Sequence, residues 1–182
     1  QGAKHRPVSA KKRFLMRSLM GLFRAPWITP ILGNAGAHRP VAPNMHHIPF
    51  VVPTEAVGNV AGRPAPAGGR PLRILMVAKY MERKNHLLLV RAIERLVRED
   101  GAALRLTIIG GRDNPDYVPV YERVCSYVAE HGLDDVVEMR DWMPHGELAG
   151  EYGRHDLCVL PSRDEEVGVS VLEAMGRGLP VL

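Results

Sequence analysis

Residues 72–111, "LRILMVAKYMERKNHLLLVRAIERLVREDGAALRLTIIGG", hold two apolar patterns in alternation. "LRILMVA" (72–78) is a continuous apolar run of strand length, the mark of a strand buried on both faces. "NHLLLVRAIERLVRED" (85–100) has apolar residues at 87, 88, 89, 93, 96 and 97, which predicts an amphipathic helix, and Gly101 ends it. "LRLTIIG" (104–110) is then a second buried strand. Working outward, the spacing predicts a helix over 116–131, a strand over 136–139, a short helix over 146–153, a strand over 156–162 and a helix over 168–177 closed by Gly178. Strands alternating with helices imply a parallel sheet with right-handed crossovers, the doubly wound, Rossmann-like α/β class.

The rest of the chain is a different object. Residues 1–70 carry 10 Lys/Arg and one acid, Glu55, for a net +9, whereas 71–182 carry 14 Lys/Arg and 19 acids, for −5. "GNVAGRPAPAGGRP" (58–71) is rich in Gly, Ala and Pro and reads as a linker. Three segments follow: 1–57, the linker 58–71 and the α/β domain 72–182. The start at Gln1 and the end at "LPVL", where a new strand should begin, lead us to expect an internal piece of a longer protein.

"KKRFLMRSLMGLFRAPWI" (11–28) joins cations to apolar residues. Arg17 and Arg24 interrupt the run, which argues against a signal peptide and a membrane span but leaves peripheral contact with anionic lipid open beside simple packing. Nucleic acid is not expected, because the interleaved aromatic and glycine pattern of common RNA modules is missing. His46 and His47 lack neighbours to complete a metal set and read as loop or packing residues, and "IPFVV" as a short buried strand ended by Pro53. Cys125 and Cys158 have no metal or redox spacing and read as reduced thiols of a cytoplasmic protein, at the inner face of the membrane if 11–28 lies on lipid.

In a doubly wound sheet, ligands bind at the carboxyl ends of the strands. Polar residues do cluster there: Lys79 and Lys84 after the first strand, Gly110, Gly111 and Asp113 after the second, Arg140 to Pro144 after the third, Ser162 and Glu165 after the fourth. Two lysines and a helix N-terminus near Gly168 suit a phosphate group, with small Ser170 leaving room beside it. Glu165 and Glu173 would repel a purely anionic ligand, so the ligand should carry hydroxyls as well. One ionised carboxylate accepts from two vicinal hydroxyls, and an acid for a ribose plus another for a hexose points to a nucleotide-diphosphate sugar. Against this, a lysine at a strand end is commonly a surface residue and "IIGG" is a weak signal. Glu173 is less ordinary, since its neighbours at 169, 171, 172, 174 and 175 leave little polar face.

"PSRDEEVGVSVLEAMGRGLPV" resembles the pattern of Pro-Ser, a Glu-x7-Glu pair, a glycine three after the first Glu, then Glu-Ala-Met, Gly and Pro-Val. That pattern belongs to retaining GT-B glycosyltransferases of family 4 (glycosyl transferases group 1), in their C-terminal nucleotide-sugar-binding domain. "VAKYMERKNHLLLVRAI" is similar to the family segment with a basic residue after the first strand and a lysine five later. The resemblance covers about 72–182 and makes 1–57 the tail of an acceptor-side domain. It implies that Lys79 and Lys84 bind the diphosphate, Lys84 nearest the sugar, that Glu165 contacts the transferred sugar and that Glu173 holds the ribose. The amides from Gly168 through Val169 to Ser170 would cap the diphosphate, and the loop with Arg140 and Trp142 would lie beside the base. Glu166 and Val167 stand where glycine and an aromatic are common, and Lys79 where arginine is common, keeping the charge without the bidentate fork.

The resemblance implies transfer of a sugar to an acceptor hydroxyl with retention, on a carbohydrate, lipid or small-molecule acceptor. Neither cofactor nor metal is expected, the nucleotide sugar being a substrate and Asp-x-Asp being absent from the chain. A nucleotide-binding module without transfer activity and a sugar-nucleotide epimerase of the same fold are the alternatives. The donor half by itself should not catalyse transfer.

Overall fold

The computed structural model describes residues 31–32, 46–47, 69–165 and 168–182. The chain divides into two units, Gln1–Val51 and Val52–Leu182. In the first, β1 (Ile31–Leu32) pairs in parallel with β2 (His46–His47), Ile31 opposite His46 and Leu32 opposite His47. The two histidines are therefore strand residues, not loop residues, because their backbone groups find partners 15 positions upstream in that register. The segment 11–28, "IPFVV" and most of the linker lie outside the described residues.

The second unit is a parallel sheet of β3 (Leu72–Val77), β4 (Leu104–Gly110), β5 (Val137–Asp141) and β6 (Leu157–Cys158), in the order β5-β4-β3-β6. Helices α1 (His86–Arg98), α2 (Val118–Glu130), α3 (His145–Arg154) and α4 (Val169–Gly176) connect or follow the strands. Strand order reverses between β3 and β6, which is where a doubly wound sheet opens a crevice. Beyond β6, Val181 bridges Cys158 in parallel, so the chain does enter a further strand position at "LPVL".

Alternation along β3 explains why helices cover both faces. Ile74 and Met76 join Leu89, Val90 and Ile93 of α1 and Val120, Val124 and Val128 of α2 in one core cluster. Leu75 points the other way, with Leu148 and Tyr152 of α3, Ala174 of α4 and Leu179. Burial of some 1.5–3 kcal/mol for each large side chain on both faces is what makes these strands read as unbroken apolar runs.

Helix α1 corrects one detail of the sequence reading. Its buried residues are His86, Leu89, Val90 and Ile93, while Leu88 and Leu96 are exposed. Four consecutive apolar residues cannot all face inward at 100° per residue; the i, i+3, i+4, i+7 set wins. Strand β6 is also shorter than 156–162, since its ladder to β3 covers only Ile74 with Leu157 and Leu75 with Cys158. Both cysteines are free thiols, and burial pushes Cys158 up to about 12. Among the described residues no helix is long and apolar enough to cross a membrane.

Candidate functional site

The loop after β3 is built to deliver one lysine. After Lys79 the chain forms a single 3-10 turn, Glu82–Lys84, and then Asn85 takes a left-handed conformation with φ 56° before α1 starts. Asparagine tolerates that region better than most residues, and its side-chain amide donates to the Pro161 carbonyl at 2.7 Å. Lys84 is consequently turned inward and buried, and its Nζ pairs with Glu165 Oε2. Next to it, Arg83 donates to the Asp164 carbonyl at 2.7 Å and stands 3.5 Å from Glu165, while the Arg163 amide donates to the Arg83 carbonyl at 2.8 Å. The loops following β3 and β6 are thus laced together at the switch point. Burial pushes the Glu165 carboxyl up, but Lys84 and then Arg83 outweigh it and hold the group below its usual range. Ser162 Oγ is close enough to favour the charged form without meeting hydrogen-bond geometry.

Glu173 occupies a second acidic position, inside α4 and only 5% exposed. Its cost of burial is offset by partners on α3: Tyr152 Oη donates to Oε2 at 2.7 Å, and His145 Nδ1 lies 3.1 Å from Oε1. Burial and the adjacent carboxylate both push the Tyr152 phenol up, so it stays protonated as a donor. At the head of α4, Gly168 is the N-cap with no side-chain cap, and the first amides of the helix are free of intrahelical partners. A Cβ on Gly168 would come within 3.2 Å of Val171 and 3.6 Å of Glu165 Cγ, which places Glu165 against this helix start.

Lys79 belongs to a neighbouring cleft of about 780 Å³ at the ends of β4 and β5. Gly111, Asp113, Tyr121, Asp141 and Trp142 line it. Lys79 Nζ is 3.4 Å from Asp113, the Arg112 guanidinium lies 4.2 Å over the Tyr121 ring and binds Asp141 with two hydrogen bonds of 2.9 and 2.8 Å, and Trp142 is 66% exposed. The walls offer aromatic faces with charge at the edges. Gly110 is required by close approach, because a Cβ there would sit 2.2 Å from the Ala78 carbonyl oxygen.

Of the residues singled out in the sequence, Lys84, Glu165 and Gly168 meet at the β3/β6 switch, with Ser162 beside Glu165. Lys79, Gly111 and Trp142 share the adjoining cleft. Val169 and Ser170 form the first turn of α4, Val169 being exposed. Arg140 is held instead on the α3 side of β5, by Glu138 at 2.8 Å and Glu151 at 3.2 Å. Sequence reasoning missed Tyr152 and His145, the partners of Glu173, as well as Arg83 and the Arg112–Tyr121 wall. His145 directly follows the Arg140–Pro144 loop and Arg83 adjoins Lys84, so both were within reach; Tyr152 reads in sequence as one more core aromatic. Among the described residues no group of three or more His, Cys, Asp or Glu could hold a metal ion.

Comparison with known proteins bears on the same region. The family model described as glycosyl transferases group 1 matches residues 71–182. A D-inositol 3-phosphate glycosyltransferase from Nocardia farcinica is 32% identical over 117 residues, 64% of this chain and 26% of that protein. The solved sucrose-phosphate synthase from Thermosynechococcus elongatus is 28% identical with a TM-score of 0.62, covering 75% of this chain and 34% of that one. An S. aureus TarM variant crystallised with fondaparinux, alpha-GlcNAc-glycerol and UDP gives a TM-score of 0.62 at 18% identity, covering 97% of this chain and 34% of its own, a likeness of fold. The chain spans under a third of the length of the curated relatives it matches. With its parallel Rossmann-like sheet and the family match over residues 71–182, the chain belongs to the glycosyl transferases group 1 family, whose solved neighbours are GT-B glycosyltransferases.

Proposed function

We propose that the chain supplies the donor half of a retaining glycosyltransferase that moves a hexose from a nucleotide-diphosphate sugar to an acceptor hydroxyl. The pairing of Lys84 with Glu165 beside the open start of α4 carries this reading: a cation, a carboxylate and unpaired amides share one spot. The diphosphate lies along Lys84 and the amides of Gly168, Val169 and Ser170, with Lys79 further out. Glu173, fixed by Tyr152, accepts from the two ribose hydroxyls, and the base enters the cleft between Tyr121 and Trp142. Glu165, released from Lys84 as the diphosphate arrives, turns to the hydroxyls of the transferred sugar.

As the anomeric bond to phosphate breaks, negative charge grows on the leaving diphosphate. Lys84, Arg83 and the helix start stabilise that charge with groups already in place, the form of electrostatic catalysis that needs no reorganisation during the reaction. The acceptor is a carbohydrate, lipid or small molecule brought by the other half of the enzyme. The inositol 3-phosphate in the name of the Nocardia relative supports a polyol acceptor. The test is transfer by the full-length protein: Lys84→Ala should lower kcat about 100-fold or more, the scale of removing one such electrostatic group, with the thermal midpoint changing little. Transfer at the wild-type rate in that variant would refute the assignment.

A further inference from the structure

The cleft at the ends of β4 and β5 carries three carboxylates, Asp113, Glu122 and Asp141, against two cations, Lys79 and Arg112. Such walls favour a base edge rich in hydrogen-bond donors over one rich in carbonyl oxygens, because an ionised carboxylate only accepts. The carboxylates are not equivalent. Asp141 has both oxygens engaged by Nε and Nη2 of Arg112, whose guanidinium is fixed in turn over the Tyr121 ring. Asp113 is held only loosely, by a 3.4 Å contact from Oδ2 to Lys79 Nζ between side chains that are 65% and 53% exposed. An ion pair so open to water contributes little and exchanges partners readily.

Gly111 decides what stands next to Asp113. A Cβ at Gly111 would lie 2.9 Å from Asp113 Oδ1 and 3.5 Å from Trp142 Cβ, so the bare backbone lets the carboxylate and the foot of the indole approach one point from two sides. Trp142 lines the cleft and is largely exposed. An aromatic ring in that position is a stacking platform, and stacking tolerates every base because every base has a π-face. The indole therefore holds a base without choosing it, and the carboxylate at its edge does the choosing.

Resting on the nucleotide-sugar reading of this site, we propose that the base is guanine and that Asp113 selects it, accepting from N1–H and from the 2-amino group while the ring lies on Trp142. Guanine is the common base with two adjacent donors on one edge, which matches the two oxygens of one carboxylate. Uracil offers a single N–H flanked by two carbonyl oxygens that a carboxylate repels, and adenine offers one amino group beside a ring acceptor. Lys79 leaves Asp113 for the diphosphate as the nucleotide enters, which frees Oδ2 for the second bond. The donor is then a guanosine-diphosphate sugar.

The experiment titrates the full chain calorimetrically with GDP, UDP, ADP, inosine diphosphate, which lacks the 2-amino group, and xanthosine diphosphate, which has a carbonyl in its place. GDP should bind the wild type about tenfold or more tighter than each of the others, the scale of one hydrogen bond to a charged group. Asp113→Asn should lose that preference and bind xanthosine diphosphate about tenfold or more tighter than GDP, because the asparagine amide accepts from N1–H and donates to the new carbonyl. A merely structural role for Asp113 would not produce that exchange. Trp142→Ala should weaken all five alike, and Glu122→Gln should leave their order unchanged. UDP or ADP bound as tightly as GDP, and weakened by Lys84→Ala, would overturn the guanine assignment and leave the donor-site reading standing. GDP bound no tighter than inosine diphosphate, or a GDP preference kept in Asp113→Asn or lost in Glu122→Gln, would likewise overturn it; binding of none of the five would overturn both.

Discussion

Glu165 pairs with Lys84, and under the proposed function that carboxylate holds the position a phosphate would need. On that proposal carboxylate and diphosphate compete for one cation, while Arg83 stands 3.5 Å from the same carboxylate oxygen. Replacing Glu165 by Gln removes the competitor and a like charge while keeping the shape. Nucleoside diphosphate should then bind several-fold tighter, whereas transfer by the full-length protein should fall; calorimetric titration beside a transfer assay reads both. Weaker diphosphate binding in Glu165→Gln would mean that the acid assists the diphosphate instead of yielding to it. Glu173 was legible in the sequence because an acid in so apolar a turn has few ordinary explanations, and Glu165, in a polar loop eight positions before it, through the resemblance to a Glu-x7-Glu pair. What neutralises each was not legible: Tyr152 comes from α3 and is 21 positions from Glu173, and no local pattern encodes that meeting.

At the scale of elements, the 3-10 turn and Asn85 do the positioning. The sequence shows the strand and the helix on either side, since their periodicities extend over many residues. It does not show the left-handed residue between them, because "RKNH" is compatible with the helix simply starting earlier. For the same reason Leu88 and Leu96 read as core residues although the helix phase set by Asn85 turns them out. Asn85→Ala should destabilise by about 2–3 kcal/mol, combining the left-handed penalty for a Cβ with the lost bond to Pro161. Asn85→Gly should recover part of that, because glycine adopts the conformation freely but cannot make the bond. Denaturant midpoints of the two variants check the order; equal losses would remove the backbone conformation from the explanation.

For the molecule as a whole, the parallel sheet with helices on both faces follows from the strand–helix alternation, whereas its order, β5-β4-β3-β6, is not written in that alternation and came from the structure. Arg140 marks the limit of such reasoning. Its place at the end of β5 was readable, but strand alternation sends its side chain to the α3 face, where Glu138 and Glu151 hold it. At the opposite edge of the sheet, Asp156 ties β6 to the start of β3, accepting from Arg70 at 2.7 and 2.8 Å and from the Arg73 amide at 2.9 Å. The side-chain bonds from Arg70, then those from Arg73, hold its carboxyl far below the ordinary value despite burial. A depressed carboxyl contributes stability that is fully present above its unfolded pKa, about 4, and is lost as pH falls through the folded value. Asp156→Asn should therefore cost about 2 kcal/mol at pH 7, and the gap from wild type should narrow below about pH 4. A gap independent of pH between 7 and 3 would show that packing and not charge is what Asn fails to replace.

The direct test of the donor site is calorimetric titration of the 182-residue chain with UDP, GDP and ADP, in parallel with the Lys84→Ala variant. One of the three should bind with one-to-one stoichiometry, and Lys84→Ala should weaken it at least tenfold while the thermal midpoint holds. Saturable binding of equal strength in both proteins, or no binding of any of the three to the wild type, would contradict the account.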